Sequence, residues 1–221
     1  MRKLIIAIDG PSGAGKGTIA RTIAQALEYR HIDTGAMYRA VAWKALRDRL
    51  SFEDEPAVAA VAADADIQVE GGTVSIDSVD VTTAIRTPEI DRAATAVARL
   101  PRVRQALVAR QRAMGSGGGV VMEGRDIGTV VFPHADIKIY LDASAEERAR
   151  RRVNDPAHTV GRVGQAAVAQ AIADRDLSDR TRPVSPLMVA GDAIRIDTTG
   201  MSIDEVVARV MEIVRTAHLS S

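Results

Sequence analysis

Residues 10–18 read Gly-Pro-Ser-Gly-Ala-Gly-Lys-Gly-Thr and follow directly on the apolar run Leu4–Ile8. A short continuous apolar run of that kind is what a buried parallel strand looks like. Four glycines in nine residues then remove the Cβ atoms that would keep backbone N–H groups away from a ligand. The helical spacing of Ile19, Ile23, Ala26 and Leu27 comes next. A strand, a glycine loop and a helix start in that order form a cradle for phosphate oxygens, with the helix adding its positive dipole end. Lys16 supplies a mobile charge for a polyphosphate, and Gly10, Pro11, Ser12, Gly13, Ala14, Gly15, Lys16, Gly17 and Thr18 are the candidate residues for binding it. Gly17 stands where such loops carry Ser or Thr, which puts direct coordination of Mg2+ by a hydroxyl there in question.

The rest of the chain alternates strand and helix. A second strand is expected near His31–Asp33, further strands at "VVM", "DIKIYLD" and "AIRID", and helices between them. Ser51 with Asp54, Ser144 with Glu147, and Ser202 with Glu205 read as capping boxes. Thr87-Pro88-Glu89 reads as the cap and first turn of a helix, and Pro101 begins another with Val103, Leu107 and Met114 on one face. Ile67, Val69, Val74 and Ile76 instead alternate around Gly71-Gly72, so 64–86 is expected to be an antiparallel meander inserted into the α/β rhythm.

Composition narrows the function. The net charge is zero, which argues against a general nucleic-acid or membrane-surface binder, and no run reaches the length of a membrane span. The apolar start is too short for a secretory signal and meets Asp9. There is no cysteine, which removes thiolate and disulfide chemistry and fits a cytoplasmic location. The four histidines (31, 134, 158 and 219) have no metal-ligand spacing and read as structural or surface residues. Arginine outnumbers lysine 25 to 4; coding bias covers most of that excess, but some of these arginines can hold phosphates bidentately.

Together with the loop, "IDTGAMYRA", "IRTPEI", "PRVRQAL", "MEGRDIGTVVFP", "LDASAEERARRR" and "DRDLSDRTRPVSPL" resemble the bacterial cytidylate kinase family, in the family's order from Ile5 to about Leu187. The resemblance implies phosphoryl transfer from ATP, with Mg2+, to CMP or dCMP. It also implies a P-loop NTPase-type parallel five-stranded sheet flanked by helices, with an inserted monophosphate-binding region and a short lid. On that reading residues 1–35, 116–153 and 169–221 are core, 36–115 bind the monophosphate, and 154–168 form the lid. Lys16, Arg125, Arg175 and Arg182 would be catalytic. Thr34, Arg39, Thr95, Arg104, Arg125, Asp126, Arg175, Asp179 and Arg182 would hold CMP, with Thr34, Arg104 and Asp126 reading the base. The resemblance further suggests a monomer.

The residues alone leave other readings open. Thr34 could cap the helix that follows it, and Arg125–Asp126 could close a turn. Glu123 could position hydrated Mg2+ or pair with an arginine. Arg175, Asp179 and Arg182 fall on one helical face and could form a solvated ladder. Another small P-loop kinase, acting on a different monophosphate, would share the loop. A GTPase would need an Asn-Lys pair, which the chain lacks. A scaffold that merely binds ATP would have no use for Lys16, Arg125, Arg175 and Arg182 together.

Overall fold

The structure is a computed structural model that describes residues 3–155 and 164–219. The first strand, β1 (Ile5–Asp9), runs into the glycine loop, from which α1 (Lys16–Leu27) emerges. Then come β2 (Arg30–Asp33), α2 (Thr34–Arg47) and α3 (Glu55–Asp64). The meander follows as β3 (Ile67–Glu70), β4 (Thr73–Ile76) and the two-residue β5 (Val79–Asp80), paired antiparallel about the positive-φ glycines 71 and 72. Helices α4 (Pro88–Val97) and α5 (Pro101–Gly115) lead to β6 (Val120–Gly124), a π turn over Ile127–Val131 and β7 (Ile137–Asp142). The chain ends with α6 (Ala145–Val153), α7 (Gln165–Thr181), β8 (Ile194–Asp197) and α8 (Ile203–Leu219).

The main sheet is parallel and ordered β2-β6-β1-β7-β8. β1 lies at its centre and is buried on both faces, which explains its unbroken apolar run. From β1 the chain crosses to β2 on one side of the sheet, and later runs from β6 to β7 and β8 on the other; such a reversal opens a crevice at the carboxyl ends of the strands. In register, Asp9 sits beside Gly124, and Asp33 beside Glu123. The four residues that close β1, β2 and β6 therefore meet at one rim.

Two apolar clusters pack the sheet. Ile6, Ile8, Ile139 and Leu141 pack with Ile19, Ile23, Val206 and Val210, and Ile32, Met122 and Ile127 form a second group. A third core belongs to the inserted region: Met37 and Val41 of α2 pack with Val58, Ile76, Ile90, Val97 and Leu107.

Cap chemistry agrees with the sequence in most places. Thr87 caps α4 by accepting from the Ile90 N–H (3.3 Å), with Pro88 behind it. Ser202 and Glu205 form a reciprocal box. Ser144 accepts from the Glu147 N–H, but Glu147 turns its carboxylate to Arg150 and Arg151 instead of back to the cap. The helix placed after Ser51 starts later. Asp54 is its cap, accepting from Ala57, because a start at Ser51 would bury Pro56 in the helix interior, where it has no N–H to give. Helix α7 stops at Thr181, so Arg182 is extended and not on the helical face expected of it; Pro183 behind it disfavours the helical region.

Gly10 has φ 152°, and a Cβ there would lie 2.0 Å from the Leu141 carbonyl oxygen. Gly15, at φ 87°, has only Arg151 within reach, at 3.5 Å. Gly15→Ala is therefore expected to cost about the 1–2 kcal/mol of a strained left-handed alanine, and Gly10→Ala clearly more. Denaturant midpoints compare the two, and equal losses would refute the close-approach account.

Candidate active site

The loop over residues 10–15 joins the centre of the sheet to α1. Gly10, Gly13 and Gly15 all take positive φ, and a Cβ on Gly13 would lie 2.9 Å from the Arg148 carbonyl. Gly15 caps α1 in the left-handed region and brings no side-chain cap. The first N–H groups of α1 thus keep their donor capacity for an anion. Lys16 is 7% exposed, and its ammonium donates to the Pro11 carbonyl at 2.7 Å. Burial, and then the charge of Arg125, pull its pKa down to about 7. Ser12 is pinned from three sides. Its N–H donates to Asp176 (3.1 Å), its carbonyl accepts from Arg148 (3.0 Å), and its hydroxyl accepts from Arg152 (3.1 Å). Arg148 and Asp176 also pair with each other. Thr18 is exposed.

The loop forms one wall of a 610 Å³ cavity. Among the described residues, nine basic side chains line it against four acidic ones. Arg39, Arg125 and Arg175 line it together with Lys16, and each is tied to a carboxylate. Arg39 donates to Asp33 (2.9 Å), Arg125 to Asp179 (2.8 Å) and Arg175 to Asp91 (3.2 Å). The Arg39 Nε is buried with no hydrogen-bond partner among the described residues. Burial pulls the Arg175 guanidinium below its usual range, and the nearby Arg125 adds to that, against Asp91. Burial also opposes the charge on Asp179, but Arg125, Arg175 and Arg182 together hold its carboxyl below the usual range. At the far end of the cavity Met201, Ile203 and Val206 give an apolar wall.

Behind Arg125 lies a buried knot. Asp126 accepts from Arg104 at 2.5 Å and from Arg182 at 3.3 Å, and Arg182 also reaches Asp179 at 3.5 Å. Arg104 is 2% exposed, stacks on Tyr38 (5.3 Å) and has its Nε unpartnered among the described residues. Arg125 and Asp126 therefore do not close a turn on each other; each has a different partner. Thr34 does not cap α2. Asp33 does so, accepting from Ala36 (2.9 Å), while the Thr34 hydroxyl donates to the Glu123 carbonyl (2.7 Å). The Thr95 hydroxyl donates to the Asp91 carbonyl (2.8 Å), on the residue that holds Arg175.

Several site residues escaped the sequence reading. His31 is not a surface residue: its Nε2 lies 3.0 Å from Glu123 Oε1, and both are largely buried. Asp9 accepts from the Ile127 and Gly128 N–H groups. Asp176 and Arg148 clamp the loop. The one available signal was an acidic residue closing each of three strand ends, Asp9, Asp33 and Glu123.

The cytidylate kinase family model matches residues 6–216. The chain belongs to the cytidylate kinase family. It is thus a kinase, and its relatives by name are cytidylate kinases. That of Pelotomaculum thermopropionicum is 50% identical over 211 residues, 93% of each chain. That of Solibacter usitatus is 46% identical over 217 residues, 97% of this chain and 94% of that one. Among solved structures, a shikimate kinase from Acinetobacter baumannii superposes with a TM-score of 0.51 at 16% identity, over 97% of this chain and 94% of that one. A gluconokinase from Sinorhizobium meliloti gives 0.51 at 14%, over 100% and 98%. At such identities these likenesses carry the fold alone, a five-stranded parallel sheet with its phosphate loop.

A lysine with a pKa near 7 is mostly neutral at pH 8, and a bound triphosphate would favour its charged form. Binding of a triphosphate at pH 8 is therefore expected to take up close to one proton, less at pH 6 where Lys16 is already charged. Calorimetry in two buffers of different ionisation enthalpy measures the uptake. Lys16→Met should abolish the part that Lys16 contributes, and an unchanged uptake would refute the assignment.

Proposed function

We propose that this kinase transfers the γ-phosphoryl group of ATP to CMP or dCMP, giving ADP and CDP or dCDP. The observation that carries the reading is one cavity lined together by the glycine loop, Lys16, Arg39, Arg125 and Arg175. The loop N–H groups and Lys16 hold the donor phosphates, and the apolar wall of Met201, Ile203 and Val206 takes the adenine. Arg39, Arg125 and Arg175 hold the acceptor phosphate. Two polyanions are thereby brought together against fixed positive charge, which lowers the barrier most where charge is shared in transfer. Arg182 acts one step back, holding Asp126 and Asp179 in place. Asp179 and Thr95 serve the acceptor sugar.

Mg2+ accompanies the ATP. Glu123 is the residue that would hold it, through water or directly, and a Cβ at Gly17 would come within 3.1 Å of that carboxylate. An oxygen donor therefore occupies the place of the missing hydroxyl, which suits a hard cation that takes most of its ligands from phosphates and water. The bound ion supplies neutralisation of the phosphate oxygens.

Cytosine offers a donor at its 4-amino group and an acceptor at N3; uracil offers the reverse. A carboxylate only accepts and a guanidinium only donates. Asp126, which has acceptor capacity beyond its two arginine bonds, and Arg104, with an unused Nε, match cytosine, with Thr34 beside them. We read 36–115 as the monophosphate-binding region and 1–35, 116–153 and 169–221 as the core. The lid placed at 154–168 falls largely on 156–163, outside the described residues.

Each opposed polar contact in a closed site costs about 1–3 kcal/mol, so CMP should exceed UMP by about a hundredfold or more in kcat/KM. ADP release across CMP, dCMP, UMP, AMP and GMP tests this. Preference for another monophosphate would make the chain a kinase of that nucleotide. Lys16→Met, which removes a desolvated charge at the start of α1, should fold normally and lose about a hundredfold or more in kcat; near-normal turnover would remove Lys16 from the mechanism.

A further inference from the structure

Asp9 closes β1 beside the glycine loop, is 5% exposed, and touches neither phosphate site directly. Its two carboxylate oxygens each accept one backbone N–H from 118 and 119 residues away: Ile127 to Oδ1 at 2.8 Å and Gly128 to Oδ2 at 2.7 Å. These are the opening residues of the π turn, whose first N–H groups have no partner within the turn. The residue in the capping position is Asp126, and an aspartate there would ordinarily turn its side chain onto those N–H groups. Here it makes no such cap. Its carbonyl takes the Val130 and Val131 N–H groups, while its carboxylate points instead to Arg104 and Arg182.

We propose that Asp9 is a positioning residue for base selection: by capping the π turn from the neighbouring strand, it frees the Asp126 carboxylate to face Arg104, Arg182 and the acceptor base. This rests on the acceptor reading given above. It links the donor side to the acceptor side, because the strand that presents the glycine loop also holds the base-reading segment. Lys16 from α1 and Asp126 itself are the charged groups that act on Asp9. On β7, Tyr140 is its neighbour across the sheet, and the Lys138 ammonium is engaged at the Pro133 carbonyl and Asp192. Burial, opposed by the two N–H bonds and assisted by Asp126, raises the Asp9 pKa to about 6. Protonation turns one acceptor oxygen into a donor, so one N–H loses its partner below that pH. The Asp126 carboxylate, already in the capping position, is then drawn to that N–H and away from its arginines, and base reading suffers.

The test compares wild type with Asp9→Asn, whose amide can accept one of the two N–H groups and opposes the other. The wild-type CMP-over-UMP ratio of kcat/KM should fall with acidity through an inflection near pH 6, and that inflection should be absent in the variant; taking the ratio cancels the titration of the nucleotide phosphates, which also lies at about pH 6. At pH 7.5 the variant should lose about tenfold in CMP-over-UMP preference, through KM for CMP, with KM for ATP changed less than about twofold. The backbone amide resonances of Ile127 and Gly128 in the wild-type full chain should titrate together near pH 6. They report on Asp9 even where Asp9→Asn does not fold. Amides that stay flat between pH 5 and pH 7.5, or a variant as base-selective as wild type, would overturn the proposal. A wild type indifferent to the base would instead sink the acceptor reading.

Discussion

Lys16, Arg39, Arg125 and Arg175 share one cavity and are each largely withdrawn from water. Left alone, four cations so placed would repel one another and lose their hydration. The fold meets this by giving each guanidinium one carboxylate: Asp33 for Arg39, Asp179 for Arg125, Asp91 for Arg175. The Lys16 ammonium rests on a carbonyl instead, and its pKa near 7 records the remaining strain. Buried ion pairs of this kind add little to stability, since desolvation offsets most of their attraction. Their use is to keep positive charge in fixed positions before a substrate arrives, so that none of the reorganisation falls in the transition state.

That charge arrangement depends on cross-links between elements far apart in the chain. Helix α7 carries neighbouring residues that work in opposite directions. Arg175 turns to Asp91 on α4, while Asp176 turns to Arg148 on α6 and to the Ser12 N–H in the glycine loop. Three residues on, Asp179 holds Arg125 at the end of β6. One helix thus fixes the glycine loop and two arginines of the cavity against a common reference. A displacement of α7 moves all three together, which preserves their spacing across the cavity, the kind of fixed geometry that positioning effects depend on.

The sequence made the architecture legible because each layer follows a local rule. The apolar run of β1, the glycine pair at 71–72 and the Thr87-Pro88 start are decided by residues next to one another, and all three took the form expected. The reading failed where a partner lay far along the chain or a neighbour overruled a pattern. Thr34 reads as a cap, but Asp33 takes the N–H first and leaves the hydroxyl for the Glu123 carbonyl, 89 residues away. Arg182 has helical spacing, but Pro183 ends the helix before it. His31 has no local signal at all; only the pairing of β2 with β6 brings it to Glu123. The arginines were visible as candidates through family resemblance. Asp126 and Asp179 were visible with them, but the partners Asp33 and Asp91 were not, because no spacing rule connects Asp91 with Arg175.

Gly17 shows how a departure from a motif can be a consequence of the fold. A side chain on Gly17 would meet Glu123 Oε1 at 3.1 Å, tighter than such contacts normally run. The carboxylate cannot easily yield, because Oε1 is held by His31 Nε2 at 3.0 Å. His31 is itself fixed on β2 between Arg30 and Ile32, in register with Val121 of β6. The position after the lysine and the last acidic residue of β6 therefore compete for one volume. A hydroxyl-bearing residue at 17 and a histidine-held glutamate at 123 are alternatives. In this chain the glutamate holds the space, and glycine follows from it.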